Sequence, residues 1–373
     1  MRSSKKPIMR IFLVAGARPN FMKIAPLYRT AQDFPEITCN IVHTGQHYDK
    51  AMSQTFFDDF GLPRPDYFLK SGSGSHAVQT AKIMTAFEAI CTENRPDWVM
   101  VVGDVNSTLA CSIVAKKLHI QVAHVEAGLR SFDLSMPEEI NRTVTDAISD
   151  LFFVTEKNGL DNLLREGKPA DRIHLVGNVM IDNLLHQFRK LEDQVSQTFS
   201  SSRLKQKLGS YAFLTLHRSS NVDDETRFRE IAAALNTISD EIPIIFPIHP
   251  RTRKMQKMFG ISFSSRIHLL PPLGFQEALF LWKDARVVLT DSGGLQEETT
   301  ALKKPCITIR DNTERPITLD QGSNILAGTS RNGILNAFHT VMTDSQKNFG
   351  IPPLWDGRAA ERIWQVVVNT ASV

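Results

Sequence analysis

The sequence predicts an α/β protein built from two doubly wound, parallel-sheet domains. Three observations carry that prediction. Short apolar runs alternate with amphipathic stretches from end to end, the pattern of strands separated by crossover helices. The alternation restarts after a polar stretch in mid-chain. A length of 373 residues is more than one hydrophobic core ordinarily organises.

In the first half, residues 9–15, 38–43, 98–102, 122–125 and 151–155 read as short buried strands. Their continuous apolar character suits a parallel sheet covered on both faces. Residues 21–33 and 78–93 carry helical patterns between them. The clearest helix lies in the 140s. Pro137 suits a first helical position, where its missing N–H costs nothing, and Ile140, Val144, Ala147, Ile148 and Leu151 recur on one face. Residues 190–210 are rich in Ser, Gln and Lys, which places a boundary near 178–202. Strands then resume at 212–216, 242–248, 267–270, 287–289 and 306–309. The expected domains are 1–185 and 186–358, with a final helix in 359–373 packing back on the first. Two such domains facing one another would form a central cleft at the carboxyl ends of their strands.

Composition narrows the function. The chain is 42% hydrophobic and 22% charged, with net charge +3 and both signs interspersed. That excludes the basic stripe of a nucleic-acid binder and the polybasic anchor of a membrane-surface protein. No run approaches the ~20 apolar residues of a membrane span. The run Ile11-Phe12-Leu13-Val14 is too short for a secretory signal, so a cytoplasmic location is expected. Cys39, Cys91, Cys111 and Cys306 are scattered without a CxxC pair, supporting neither a zinc ribbon nor a redox motif.

The most informative stretch is Thr290-Asp291-Ser292-Gly293-Gly294-Leu295-Gln296-Glu297-Glu298, directly after an apolar run. It reads as strand, glycine turn and helix. Backbone N–H groups at such a turn can approach a diphosphate, and a carboxylate one turn into the helix can accept from a ribose diol. A ligand-free strand–turn–helix is the bland alternative. Other polar groups follow predicted strands: Arg18 and Lys23 after the first, Gln46-His47 after the second, Asp104 after the third, His124 and Glu126 at the fourth. In the second half come His217, His249 and Arg315. Taken singly, each has a plain structural reading. Asp104 could be an N-cap, Glu126 has no lysine beside it in sequence, and Glu138 with Arg142 would form an i,i+4 surface pair. Gly16-Ala17-Arg18-Pro19-Asn20 is not GxGxxG, so no dinucleotide cofactor is indicated. His124 and Glu126 lack a third ligand at suitable spacing, so no metal is expected. No GxSxG elbow is present.

Together these motifs, in this order and with Pro137–Arg142, Pro247-Ile248-His249-Pro250 and residues 310–316, resemble the non-hydrolysing UDP-N-acetylglucosamine 2-epimerases over residues 9–368. The resemblance implies two Rossmann-like domains in a GT-B arrangement, UDP held mainly by the second, no cofactor and a homodimer. It gives Ser292, Gly293 and Gly294 to the diphosphate, Glu298 to the ribose, and Arg18, His249 and Arg315 to phosphates and sugar. His47 and Phe275 join the substrate-binding set, with the uracil near 273–275, and Lys23 supports the carboxylates. Asp104, Glu126, Glu138 and His217 match the acid–base positions, with Arg142 a helper. Proton transfers are expected of Asp104 and Glu138, with Glu126 tuning or orienting the sugar. In bacterial members that use a second UDP-sugar as activator, a different stretch follows Gln-His. Here Tyr48-Asp49 follow, so weak or absent activation is expected. A GT-B glycosyltransferase is the alternative reading, and a non-catalytic UDP-sugar sensor a third.

Overall fold

The computed structural model describes residues 8–45, 57, 59–193, 199–343 and 349–370. The chain divides into two compact units, Met1–Leu185 with Pro353–Val373, and His186–Pro352.

The first unit is built on a seven-stranded parallel sheet. Its strands are β1 Met9–Ala15, β2 Ile37–His43, β3 Tyr67–Phe68, β4 Trp98–Val102, β5 Gln121–Val125, β6 Leu151–Val154 and β7 Ile173–Leu175, in the order β3-β2-β1-β4-β5-β6-β7. The order reverses between β1 and β4, and such a reversal opens a crevice at the carboxyl ends of the two strands. One face is closed by Phe12, Val14, Val99, Val101 and Val122 packed against Ile83, Phe87 and Cys91 of the helix His76–Glu93, and Ala110, Cys111 and Val114 of Asn106–Lys117. The stripe Ile83, Phe87, Cys91 is one helix face at a spacing of four. The C-terminal helix Ala359–Thr370 belongs to this unit. The Trp364 indole N–H donates to the Leu27 carbonyl at 2.9 Å, and the Asp182 carboxylate accepts from the N–H groups of Ala359 and Ala360 at 3.1 and 2.7 Å. Asp182 thereby satisfies donors that a helix start leaves open. Burial pushes its carboxyl up to about 6 against those two hydrogen bonds.

The second unit repeats the plan with six parallel strands: β8 Ala212–Thr215, β9 Ile244–Pro247, β10 Ile267–Leu270, β11 Val287–Thr290, β12 Cys306–Thr308 and β13 Asn324–Leu326. Their order is β10-β9-β8-β11-β12-β13, with the reversal between β8 and β11. Leu214, Phe246, Leu289 and Ile307 meet Phe228, Ile231, Leu235 and Ile238 of the helix Glu225–Glu241, and Ile334 and Phe338 of Arg331–Thr343.

Three strands lack a predictive apolar run. β3, β7 and β13 are two or three residues long and lie at sheet edges, where half-exposed positions remove the hydrophobic signal. The helix of the 140s forms at Pro137–Ile148, but its buried face is the opposite of the predicted one. Glu139, Asn141, Arg142, Thr145 and Asp146 are buried, Ile140 is exposed, and Leu151 belongs to β6. The helix lies over strand ends, where ion pairs and hydrogen bonds replace apolar packing. Among the described residues no helix is long and apolar enough to cross a membrane.

Candidate active site

In the first unit, the polar residues gather at the β1/β4 reversal. Asn20 stands in the first turn of the helix Arg18–Ala31. Its Oδ1 accepts from the N–H groups of Gly16 and Ala17 at 3.2 and 3.0 Å, and its Nδ2 donates to Val102 O at 3.1 Å. It ties the turn after β1 to the end of β4. One turn further along, the Lys23 ammonium is paired with the Glu126 carboxylate. Gly103 makes room for this pair. Its φ is +66°, and a Cβ there would lie 2.8 Å from Lys23 Nζ. Glu126 itself sits at φ +73°, a conformation non-glycine residues avoid and which costs about 1–3 kcal/mol. It is pinned there because the N–H groups of Glu126 and Ala127 both donate to Phe153 O, at 3.0 and 3.1 Å. A lysine is therefore beside Glu126 after all, supplied by another element 103 residues away.

Asp104 follows on the β4 turn. Its Oδ2 accepts from Arg142 Nη2 at 2.5 Å, and its carbonyl accepts from Asn141 Nδ2 at 2.8 Å. The helix that follows is capped at Val105, so Asp104 is not its N-cap. Arg142 also pairs with Glu139, its Nη1 donating to Oε2 at 2.9 Å. The expected i,i+4 pair of Glu138 with Arg142 is thus replaced by an i,i+3 pair with Glu139, and Glu138 is exposed. The helical phase decides which member of the doublet turns inward. Behind this layer, His124 donates from Nε2 to Gly103 O at 2.9 Å and from Nδ1 to Asp146 at 2.6 Å. Asp146 also pairs with Arg130 at 2.7 Å. His124 and Glu126 therefore serve different networks. Arg18 is exposed at the first position of its helix. His47 lies outside the described residues.

The second unit collects its polar groups at the β8/β11 reversal. Asp291, fully buried at the end of β11, accepts from the backbone N–H of His217 (2.9 Å) and Arg218 (2.8 Å), and from His217 Nδ1 (2.9 Å). Burial pushes its carboxyl up, but these hydrogen bonds and the neighbouring imidazole hold it below the usual range. The rings of His217 and His249 meet at a tilt of 47° with centroids 5.6 Å apart. His249 caps the helix Pro250–Met258, its Nδ1 accepting from Arg251 N–H at 3.2 Å. Burial, then His217 and Arg251, lower its affinity for a proton, in keeping with a nitrogen that accepts.

Ser292 caps the helix Gly293–Ala301, accepting from Leu295 N–H at 3.5 Å. Over its first turn lies the Arg315 guanidinium. A Cβ on Gly293 would stand 2.8 Å from Arg315 Nη1, so a larger residue there would have to displace the guanidinium. Arg315 pairs with Glu297 at 2.9 Å and Glu314 at 2.7 Å, while Arg218 and Arg310 reach the same Glu314 at 3.2 and 2.8 Å. Burial opposes ionisation of Glu314, but Arg315, Arg310 and Arg218 together hold it far below the usual range. Three arginines and a helix N-terminus give this locale the character of an anion site. Glu298, buried further along the helix, is pushed up to about 8 by burial and then by Glu297. Phe275 opens the helix Phe275–Trp282 after β10 and is half-buried.

The sequence reading did not single out Asn20, Glu139, Asn141, Asp291 or Glu314 as site residues. Asp291 had a usable signal, since it directly follows a buried strand. Asn20 and Asn141 are recognisable only from partners far away in sequence, Val102 and Asp104, while Glu139 and Glu314 take most of their partners nearby but turn inward only in the fold.

The family model described as UDP-N-acetylglucosamine 2-epimerase matches residues 29–368. A UDP-N-acetylglucosamine 2-epimerase of Methanocaldococcus jannaschii is 41% identical over 367 residues, 96% of this chain and 99% of that protein. A UDP-2,3-diacetamido-2,3-dideoxy-D-glucuronate 2-epimerase of Pseudomonas aeruginosa is 37% identical over 358 residues, 95% of this chain and 98% of that one. The crystal structure of the Methanocaldococcus jannaschii UDP-GlcNAc 2-epimerase in complex with UDP-GlcNAc and UDP matches with a TM-score of 0.88 at 40% identity, covering 97% of this chain and 100% of that one. The chain belongs to the UDP-N-acetylglucosamine 2-epimerase family.

Proposed function

We propose that this protein inverts C2 of UDP-N-acetylglucosamine, giving UDP-N-acetylmannosamine, by eliminating UDP and adding it back. The observation that carries the reading is a division of charge. One unit offers an arginine-framed helix N-terminus for a diphosphate, and the other offers carboxylates steered by cations.

The chemistry calls for both. C2–H lies beside an acetamide nitrogen, not a carbonyl, and is a very weak acid. Breaking C1–O first makes an oxocarbenium-like centre that acidifies it. A carboxylate then removes the proton, leaving 2-acetamidoglucal and UDP. Reprotonation from the other face and return of UDP complete the inversion. In this scheme Ser292, Gly293, Gly294 and Arg315 take the charge of the leaving diphosphate, which grows in the transition state. Glu298 accepts from the ribose, and Phe275 lies at the uracil. Asp104 and Glu138 exchange the protons, Glu126 orients the sugar with Lys23, and His217 serves the leaving phosphate, with Arg18, His47 and His249 around sugar and phosphates. Arg142 steers Asp104. A glycosyltransferase would share the UDP site but needs a single base and an acceptor groove.

We also propose that the protein works in the cytoplasm as a homodimer, supplying precursors for surface polysaccharides. The Pseudomonas relative acts on a diacetamido uronate, and that substrate is the second to try. The solved relative that holds UDP-GlcNAc together with UDP makes the rate curve informative as well. A hyperbolic curve fits the absence of an activator, and a sigmoidal one contradicts it.

Proton NMR of the purified protein with UDP-N-acetylglucosamine in D2O, without added cofactor, tests the reaction. UDP-N-acetylmannosamine carrying deuterium at C2 is the expected product. Free N-acetylmannosamine plus UDP would mean hydrolysis instead, and transfer of the intact sugar to an acceptor would overturn the epimerase reading.

A further inference from the structure

The scheme above gives no role to the buried carboxylate of Glu139. Glu139 is only 2% exposed, and all its partners are fixed. Its Oε1 accepts from Phe132 N–H at 2.9 Å, and its Oε2 accepts from Ser131 N–H and from Arg142 Nη1, both at 2.9 Å. The other arm of the same guanidinium, Nη2, lies 2.5 Å from Asp104 Oδ2. One cation is therefore shared by two carboxylates, one buried and one partly open. The backbone that Glu139 grips is itself unusual. Phe132 is held at φ +58° with its side chain 73% exposed, followed by Leu134 at 71%. A bulky residue keeps such a conformation only where surrounding contacts impose it.

We propose that Glu139 is a positioning residue of the epimerisation, dividing Arg142 between itself and Asp104 and fixing the Ser131–Phe132 turn to the same guanidinium. The inference rests on the reading that Asp104 exchanges the C2 proton. An arginine given wholly to Asp104 would form a two-pronged pair and weaken it as a base. An arginine half-engaged by Glu139 leaves Asp104 able to take a proton while still orienting it. Ionised Glu139 suits this role. Burial pushes its carboxyl up, but donation from Ser131, Phe132 and Arg142 holds it below the ordinary value. Among the described residues, the other charged or titratable groups near this triad include Lys23 and Glu126 across Gly103, His124 on the Gly103 carbonyl with its partner Asp146, Arg130 and Asp133 on either side of the Ser131–Phe132 turn, His76 on Asn106, and exposed Glu138. The substitutions below leave all of them in place.

The test is the pH–rate profile of Glu139→Gln beside those of Glu139→Asp and Asp104→Asn. For Glu139→Gln, the acid limb is expected to move down by about one pH unit. Its kcat should fall by about tenfold or more with KM nearly constant, because the loss is in positioning and not in ground-state binding. Glu139→Asp keeps the charge, so its limb should stay while kcat falls by about threefold or more. An unmoved limb in Glu139→Gln, or an equal shift in both Glu139 variants, overturns the proposal. If Glu139→Gln does not fold, Glu139→Asp decides, and an unchanged kcat overturns the proposal. Asp104→Asn separates the two levels. If it is inert while the Glu139 limb is unmoved, only this inference fails. If it retains turnover, the underlying reading fails and the inference with it.

Discussion

The two units share a topology and reverse its polarity. At the strand-order reversal of the first, cations pair with acids that the proposed mechanism uses: Lys23 with Glu126, Arg142 with Asp104. At the reversal of the second, acids gather arginines that the proposed mechanism turns to the diphosphate: Glu314 pairs with Arg218, Arg310 and Arg315, and Glu297 with Arg315. On the proposed reading, one parallel-sheet crevice serves proton transfer or anion binding according to which sign of charge its pairs hold for the substrate. The pairing also fixes each of these groups in place, which in the proposed mechanism lowers the reorganisation needed at the moment of reaction.

The sharpest way to break this comparison is to neutralise one group from each unit. Asp104→Asn should lower turnover by about 10²–10⁴ while UDP affinity, read by calorimetry, barely changes. An equal loss of UDP binding would abolish the proposed separation. Arg315→Ala should do the reverse. UDP affinity falls by about 10- to 100-fold, the scale of a lost charge-assisted hydrogen bond, and kcat at saturating substrate falls less.

A third expectation concerns Glu298, a buried acid of the second unit. Its carboxyl is pushed up to about 8, and ribose donation favours the ionised form. UDP affinity should therefore rise as pH approaches 8 and flatten above it, with proton release detectable by calorimetry in buffers of different ionisation heat. A flat response would mean that Glu298 is not the ribose acceptor. The same raised value has a stability consequence. Its contribution is fully present below the ordinary carboxylate value and is lost as pH rises through about 8. The ligand-free protein should melt lower at pH 9 than at pH 6, and UDP should narrow that difference.

The smallest effect is a control in the first unit, away from the reacting groups. Asp182→Ala removes a helix cap and should cost about 1 kcal/mol of stability, seen as a lower Tm with unchanged kcat. Asp182→Asn keeps an acceptor without the buried charge. It should hold the Tm near neutrality and erase the stability change that Asp182 contributes as pH rises through about 6.

Much of the architecture was legible in sequence, because a parallel strand buried on both faces must be continuously apolar. Val99, Val101, Leu214 and Leu289 announce themselves in that way. The glycine turn after β11 was legible from the Gly293-Gly294 pair directly after an apolar run. Even the position of the helix Pro137–Ile148 could be read, from its proline and its apolar period.

By itself, then, the sequence determined the strands that carry apolar runs, the restart of the pattern, the places where polar groups follow strands, and the family. Only the tertiary structure decided which polar groups meet. Glu139, and not Glu138, holds Arg142, and Lys23 reaches Glu126 across 103 residues. The physical reason is that apolar periodicity reports an average avoidance of water, residue by residue. An ion pair reports the meeting of two groups, and that is set by strand order, helix phase and backbone conformations such as the positive φ of Glu126. None of these is written in the local pattern. For the same reason the Pro137–Ile148 helix could be placed from its apolar stripe and still bury the other side.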